Sequence, residues 1–280
     1  MQNKICVVSG ANSGVGFEAA KGLAMLGAHV VLVCRNDERG QATQARILEE
    51  VASADLRVAQ ADFASLIQVR QLGMVLSGDY SKIDLLVNNA GAAFARRRIT
   101  EDGFESTLEV NHLSHFLLTQ LVISSLLAAG GRVINVSSEG HRSAKLRRAA
   151  LEDIIRGVGP YGGWRAYADS KLANILFTKE LARRYQPDQL SAVAVHPGTL
   201  ATRIWNRNMT PVSLLMRAFK PLMGRASVGG DAVIFLARQP SDVLHGQYYD
   251  KQELSDPANP AHDRELAEEL WRVSGELVGV

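Results

Sequence analysis

Tyr167 and Lys171 stand four residues apart in AYADSKLANILFT, the stretch from Ala166 to Thr178. On a helix, positions four apart stack on one face roughly 6 Å from each other, so a phenol and an ammonium would share one site. That pair is a proton donor beside a fixed positive charge, the equipment for exchanging a proton with an oxygen on which charge develops. For a lone Y-x-x-x-K pattern the plainer assignment is preferred, a half-buried tyrosine and a solvated lysine, so the remainder of the chain must decide. A second candidate centre is SGANSGVG, which follows the apolar run ICVV and opens a helix. Glycines there let the backbone approach a pyrophosphate, and the helix N-terminus favours its negative charge. The turn predicts a nucleotide cradle of Gly10, Asn12, Ser13, Gly14, Val15 and Gly16.

A third centre lies at the end of the second apolar run, VLVCRN. In a dinucleotide fold this tip meets the adenosine ribose, where NAD sites usually carry an acid. Here Cys34 is followed by Arg35, whose guanidinium suits a 2′-phosphate. Asp37 and Glu38 come next and leave a solvated loop arginine as the alternative. NADP(H) is therefore the favoured cofactor, with NAD(H) possible.

The elements that must position these residues alternate regularly. ICVV, HVVLVC, LRVAQA, IDLLVNN, RVINVSS and SAVAVHPG read as short β-branched strands, and helical patterns lie between them. This alternation predicts an α/β fold: a Rossmann-type doubly wound parallel sheet with helices on both faces, with ligands beyond the C-terminal ends of the strands. With no Pro/Gly/Ser-rich linker and no repeat, residues 1–280 are assigned to one domain. The stretch from Phe104 to Leu127 reads as one long helix.

Bulk properties narrow the function classes. Apolar residues make up 46% and charged residues 21% of 280, which fits a globular chain rather than a disordered or fibrous one. A net charge of +2 demands no polyanion, so no nucleic-acid partner is expected. The triple arginine Arg96 to Arg98 and KLRR at 145–148 are read as solvated loop charges. Cys6 and Cys34 fall in apolar runs and read as core residues of a reducing compartment, and no metal-ligand spacing is present. The first strand begins by residue 5, ahead of any room for a secretory signal, and the longest apolar tract is too short and too polar to span a bilayer. No membrane anchor is expected, and the location expected is cytoplasmic.

From end to end the chain resembles the short-chain dehydrogenase/reductase family, in its retinol-dehydrogenase-like branch. The resemblance rests on SGANSGVG, CRN, NNAG at 88–91, TEDGFESTLEVNHLSHFLLT, NVSS, AYADSKLANILFT, HPG and ELWRVSGELVG, in the family's order. It implies a catalytic tetrad of Asn111, Ser138, Tyr167 and Lys171. It also implies that Asp62 and Phe63, with Asn89, Ala90 and Gly91, border the adenine side of the cofactor. Pro197, Gly198, Leu200 and Thr202 would border the nicotinamide carboxamide, and Tyr167 and Lys171 would also touch the cofactor. By the same analogy Asn111 holds a water linking Lys171 to solvent. Ser9 replaces a common threonine, and Ser114 a common glycine.

The activity implied is hydride transfer between nicotinamide and a hydrophobic ketone or aldehyde, or the corresponding alcohol. Reduction of an activated C=C bond and redox sensing without turnover are the alternatives. A homodimer or homotetramer is the family's expectation. Ser138 and Tyr167 are 29 residues apart (167 − 138), so a substrate-side loop around 139–164, with apolar Leu146, Leu151, Ile154, Ile155, Tyr161 and Trp164, is expected beside the catalytic mouth, Tyr161 or Trp164 lining the pocket. The alternative is that these residues cap the domain and Leu151 to Ile155 pack as a short helix. A helical segment around 205–225 is expected to complete the pocket.

Overall fold

Strands that are covered on both faces need apolar side chains pointing both ways, and their sequences become continuous β-branched runs. In the computed structural model, which describes residues 1–198 and 226–280, such runs form β1 (Ile5–Ser9), β2 (His29–Cys34), β4 (Leu85–Asn88), β5 (Gly131–Val136) and β6 (Leu190–His196), while β3 (Asp55–Gln60) is a less buried strand at the edge. Two further strands follow, β7 (Gln247–Asp250) and β8 (Glu253–Leu254). Among the described residues the sheet order is β3-β2-β1-β4-β5-β6-β7-β8. Pairing is parallel as far as β7, and β8 closes the edge antiparallel, with Tyr249 opposite Leu254. The strand order reverses between β1 and β4, which opens a crevice at their C-terminal ends.

Alternation along the strands splits the core in two. Val7, Val31, Leu86, Val133 and Ala194 face one layer, whereas Cys6, Val8, Leu32, Val87 and Val195 face the other. Among the described residues the helices are α1 (Gly14–Met25), α2 (Asp37–Glu50), α3 (Leu66–Asp79), α4 (Ser106–Leu108), α5 (Ser114–Leu121), α6 (Ile123–Ala129), α7 (Leu151–Ile155), α8 (Gly163–Arg184), α9 (Ala226–Arg238), α10 (Ser241–Leu244) and α11 (Arg264–Val278). Residues of α3, α5, α8 and α11 fill the first layer, and residues of α1 and α9 fill the second. The doubly wound arrangement follows. Both cysteines are free and buried.

Two expectations need correction. The stretch from Phe104 to Leu127 is not one helix: a π-helical turn (Glu109–Leu113) separates α4 from α5, and the axis bends by 63° before α6. Among the described residues no single helix is long and apolar enough to cross a membrane. The loop after Ser138 does not present its aliphatic residues to the catalytic mouth either. Leu146, Leu151 and Ile155 lie in the main core, and Ile154 packs against it. The cause is α11, whose apolar face packs on α8 and touches α5 and α7.

Helix α8 is consequently buried without interruption from Ala166 to Thr178. Trp271 of α11 lies 5.1 Å from the Phe116 ring and 5.8 Å from the Phe177 ring, with the Arg184 guanidinium 4.2 Å over its own. Each large apolar side chain buried this way stabilises the fold by about 1.5–3 kcal/mol. The segment 205–225, with Leu200 and Thr202, lies outside the described residues.

Candidate active site

The glycine turn after β1 is shaped by close approach. Gly10 adopts φ +65 and Gly14 φ +59, and a Cβ on Gly16 would stand 2.4 Å from the Gly10 carbonyl oxygen and 2.5 Å from Asn89 Nδ2. Larger residues would drive the turn away from the loop after β4. Val15 and Gly16 are buried, and Asn12, Ser13 and Gly14 are half-buried. Ser13, the residue before α1, makes no side-chain cap, and the first turn of the helix carries no acid. Its first N–H groups are thus available to an anion.

Ser9, at the tip of β1, fastens this turn to the next strand. Its Oγ accepts from the backbone N–H groups of Asn89 (2.8 Å) and Ala90 (2.9 Å). The hydroxyl proton has two acceptors in reach, the Val87 carbonyl at 3.1 Å and His115 Nε2 at 3.0 Å. Because His115 Nδ1 lies 3.0 Å from the Asn111 carbonyl, which can only accept, the ring proton sits on Nδ1 and Nε2 is an acceptor. Burial pushes the His115 pKa down to about 3, so the ring stays neutral. A hydrogen-bonded line therefore runs from the glycine turn to the backbone of Asn111. In the sequence Ser9 stands out only as the replacement of a common threonine; the second histidine of NHLSHF, four residues after Asn111, is the signal for its partner.

The outer positions are arranged as follows. Arg35 is exposed at the tip of β2, and Asn36 caps α2 by accepting from Arg39 N at 3.2 Å. Asp62 accepts from Ala64 N through Oδ1 at 3.0 Å. The Phe63 ring lies 4.9 Å from the His115 ring, and its carbonyl accepts from Ser114 Oγ at 2.7 Å. The serine that replaces a common glycine thus holds the loop after β3. Pro197 and Gly198 follow β6, with Gly198 at φ +91 and the Lys251 side chain against it.

The inner residues converge at the ends of β4, β5 and α8. Asn111 lies on the π-helical turn and is fully buried. Such turns displace one residue from the regular helical register. Its Oδ1 accepts from Ala92 N at 2.7 Å, and its Nδ2 donates to the Ala92 carbonyl and to Ser170 Oγ, at 3.0 and 2.9 Å. A Cβ on Gly91 would lie 3.5 Å from Asn111 Oδ1 and 3.8 Å from Lys171 Nζ, so both side chains border one space.

Ser138 caps the 3-10 turn after β5, its Oγ accepting from Gly140 N at 3.1 Å. A Cβ on Gly140 would lie 3.5 Å from Ser138 Oγ and 3.3 Å from Tyr167 Cε1, so both side chains border one space. Burial raises the Tyr167 phenol above its usual pKa, and the neighbouring Ser138 hydroxyl opposes the rise. Lys171 Nζ donates to the Val136 carbonyl at 3.0 Å and lies 5.7 Å from the Tyr167 ring centroid. Burial alone pushes its pKa down to about 8. Trp164 stacks 5.9 Å from Tyr167 and is 50% exposed, at the rim; Tyr161 is instead tied to the Phe94 carbonyl (2.8 Å) and Glu105 (3.2 Å).

An uncapped helix N-terminus behind a glycine turn, and a buried lysine whose charge burial disfavours, both fit a phosphate-bearing dinucleotide with ribose hydroxyls. Fold and site together define a dinucleotide-binding α/β protein with a serine, a tyrosine and a lysine at the crevice. The model of the short chain dehydrogenase family matches residues 4–149. Retinol dehydrogenase 12 of Mus musculus is 36% identical over 279 residues, covering 99% of this chain and 87% of that protein. The provisionally named daunorubicin C-13 ketoreductase DnrU of Streptomyces sp. (strain C5) is 39% identical, covering 100% of this chain and 94% of that protein. A crystal structure of an uncharacterized protein from Mycobacterium Paratuberculosis superimposes with a TM-score of 0.79 at 30% identity, covering 100% and 94% of the two chains. The chain belongs to the short-chain dehydrogenase/reductase family, in its retinol-dehydrogenase-like branch. It is an oxidoreductase that binds a nicotinamide cofactor and acts on small molecules.

Proposed function

We propose that this chain is an NADP(H)-dependent carbonyl reductase or alcohol dehydrogenase for hydrophobic ketones, aldehydes or their alcohols. The observation that carries the reading is the convergence of Ser138 Oγ and the Tyr167 ring on one space beside Gly140, with Lys171 Nζ 5.7 Å from the phenol ring. The cofactor, when bound, supplies or takes the hydride. Ser138 donates a hydrogen bond to the substrate oxygen and fixes its direction, and Tyr167 gives that oxygen a proton in reduction or takes one in oxidation. A phenol whose pKa burial has raised rests as an acid, ready for reduction; oxidation requires that Lys171 offset the rise electrostatically.

Asn111 acts on the backbone of Ala92 and on Ser170, keeping the wall beside Lys171 in place. Asn12, Ser13 and the glycine turn hold the pyrophosphate, while Asp62, Phe63 and the segment Asn89–Gly91 flank the adenosine. Arg35, exposed at the tip of β2, is the residue that reads a 2′-phosphate. The name of the DnrU relative supports a bulky ketone as substrate, and the exposed Trp164 face beside Tyr167 supports a hydrophobic one. The test is a panel of ketones, aldehydes and secondary alcohols with both cofactors, followed by nicotinamide absorbance, with an enone as control. NADPH-dependent reduction of bulky ketones is expected. Turnover confined to the C=C bond of the enone, or cofactor binding with no turnover across the panel, overturns the reading.

A further inference from the structure

Proton transfer and carbonyl orientation at Ser138 depend on where a single hydroxyl points, and that hydroxyl sits on a turn rather than on a strand. The backbone N–H of His141 donates to the Ser138 carbonyl at 3.0 Å. The ring nitrogen Nδ1 of the same residue lies 2.7 Å from that carbonyl. A carbonyl only accepts, so Nδ1 carries the ring proton and His141 fills both lone pairs of the Ser138 oxygen. The other ring nitrogen, Nε2, accepts from the Ala258 backbone N–H at 3.0 Å. This arrangement requires a neutral ring, and burial lowers the His141 pKa in agreement with it. The ring is 1% exposed, and Tyr248 packs edge-on against it at 5.1 Å.

The turn that His141 closes has little room to rotate. A Cβ on Gly140 would lie 3.3 Å from Tyr167 Cε1, 3.3 Å from the Trp164 ring and 3.5 Å from Ser138 Oγ. The peptide after Ser138 is therefore pressed against the catalytic tyrosine on one side and bolted to the segment before α11 on the other. If the Ser138 carbonyl swings, its Oγ moves relative to Tyr167.

We infer that His141 is a positioning residue: its Nδ1–H fixes the peptide plane at Ser138, and so the direction of the catalytic hydroxyl, using the Ala258 N–H as an anchor. The inference rests on the role proposed for Ser138.

The two ends of the ring can be separated by substitution. In His141→Asn the amide nitrogen replaces Nδ1 and keeps the bond to Ser138, whereas in His141→Gln the amide oxygen reaches the place of Nε2 and keeps the bond to Ala258. His141→Phe keeps the ring volume and neither bond. Turnover at saturating NADPH and saturating ketone is measured for all three together with Ser138→Ala, alongside Kd for NADPH and Tm.

The Phe and Gln variants should lose roughly tenfold or more in kcat with Kd for NADPH unchanged, and the Asn variant should recover to within about threefold of the parent. Recovery by Gln as good as by Asn, or wild-type kcat in the Phe variant, overturns the inference and leaves His141 a structural bolt. If the Phe variant does not fold, the comparison of Asn with Gln decides alone. Wild-type turnover in Ser138→Ala brings down both the role of Ser138 and this inference. Loss there with full activity in every His141 variant brings down the inference only.

Discussion

Replacing Lys171 with methionine removes a charge while keeping an unbranched chain of similar length, and its effect can be sized from the structure. The ammonium lies 5.7 Å from the centre of the Tyr167 ring. With an effective dielectric constant of about 20, one unit charge at that range stabilises a phenolate by about 3 kcal/mol, or about two pKa units. Removing the cation raises the phenol pKa by that amount. Alcohol oxidation needs the phenolate, so below its pKa the rate falls tenfold per unit, and Lys171→Met should cost about 100-fold at neutral pH. The parent lysine, pushed down to about 8 by burial, loses its own charge as pH rises through that value. The gap between variant and parent should therefore narrow above about pH 8. The assay is kcat for oxidation of a secondary alcohol at saturating cofactor, from about pH 6 to about pH 10. Saturation removes the separate loss of affinity from any contact between Lys171 and a ribose. A loss by the same factor at every pH would refute the electrostatic role of Lys171 and leave it a binding residue.

Tyr167→Phe removes the transferable proton and keeps the ring that packs against Trp164, so turnover should vanish while NADPH still quenches protein fluorescence with its usual Kd. Arg35→Asp replaces an exposed donor with a carboxylate; KM for NADPH should rise about 10- to 100-fold and the preference should move towards NADH, as measured by kcat/KM for both cofactors. Trp164 is 50% exposed, so Trp164→Ala should leave Tm nearly unchanged and raise KM for bulky ketones roughly tenfold more than for small ones. Ser9→Ala leaves two backbone N–H groups unmet; a loss of about 2 kcal/mol or more is expected, read as a fall in Tm of about 5 °C.

Strands β1, β2, β4, β5 and β6 were legible because burial on both faces writes them as apolar runs, and β3, less buried at the edge, was legible from its place in the alternation. QYYD and EL carry no such run: β7 is four residues with polar ends, and β8 lies exposed at the edge, so neither announces itself. The stretch from Phe104 to Leu127 misled for a different reason. A π-helical turn adds a residue without interrupting the apolar pattern, so hydropathy alone does not show where Asn111 leaves the regular helix. Tyr167 and Lys171 were readable from spacing, and Ser138 only through the resemblance, since the 28 residues between it and Tyr167 hide their adjacency. Leu146, Leu151 and Ile155 looked like a pocket lining because nothing local says that α11, far along the chain, has an apolar face waiting for them. His141 escaped notice for a related reason: its partners are a backbone carbonyl and a backbone N–H, and neither leaves a trace in residue type.

Helix α8 carries Tyr167 and Lys171 yet has no face of its own to offer solvent along its central turns. Its last wall is α11, which reaches the Phe116 and Phe177 rings through Trp271. The burial of the proton-transfer helix is therefore complete only when the closing helix is docked on it. A chain cut between α9 and α11 would keep every residue named in the catalytic reading and still expose an aromatic surface built for burial, which is a route to aggregation rather than to a smaller enzyme.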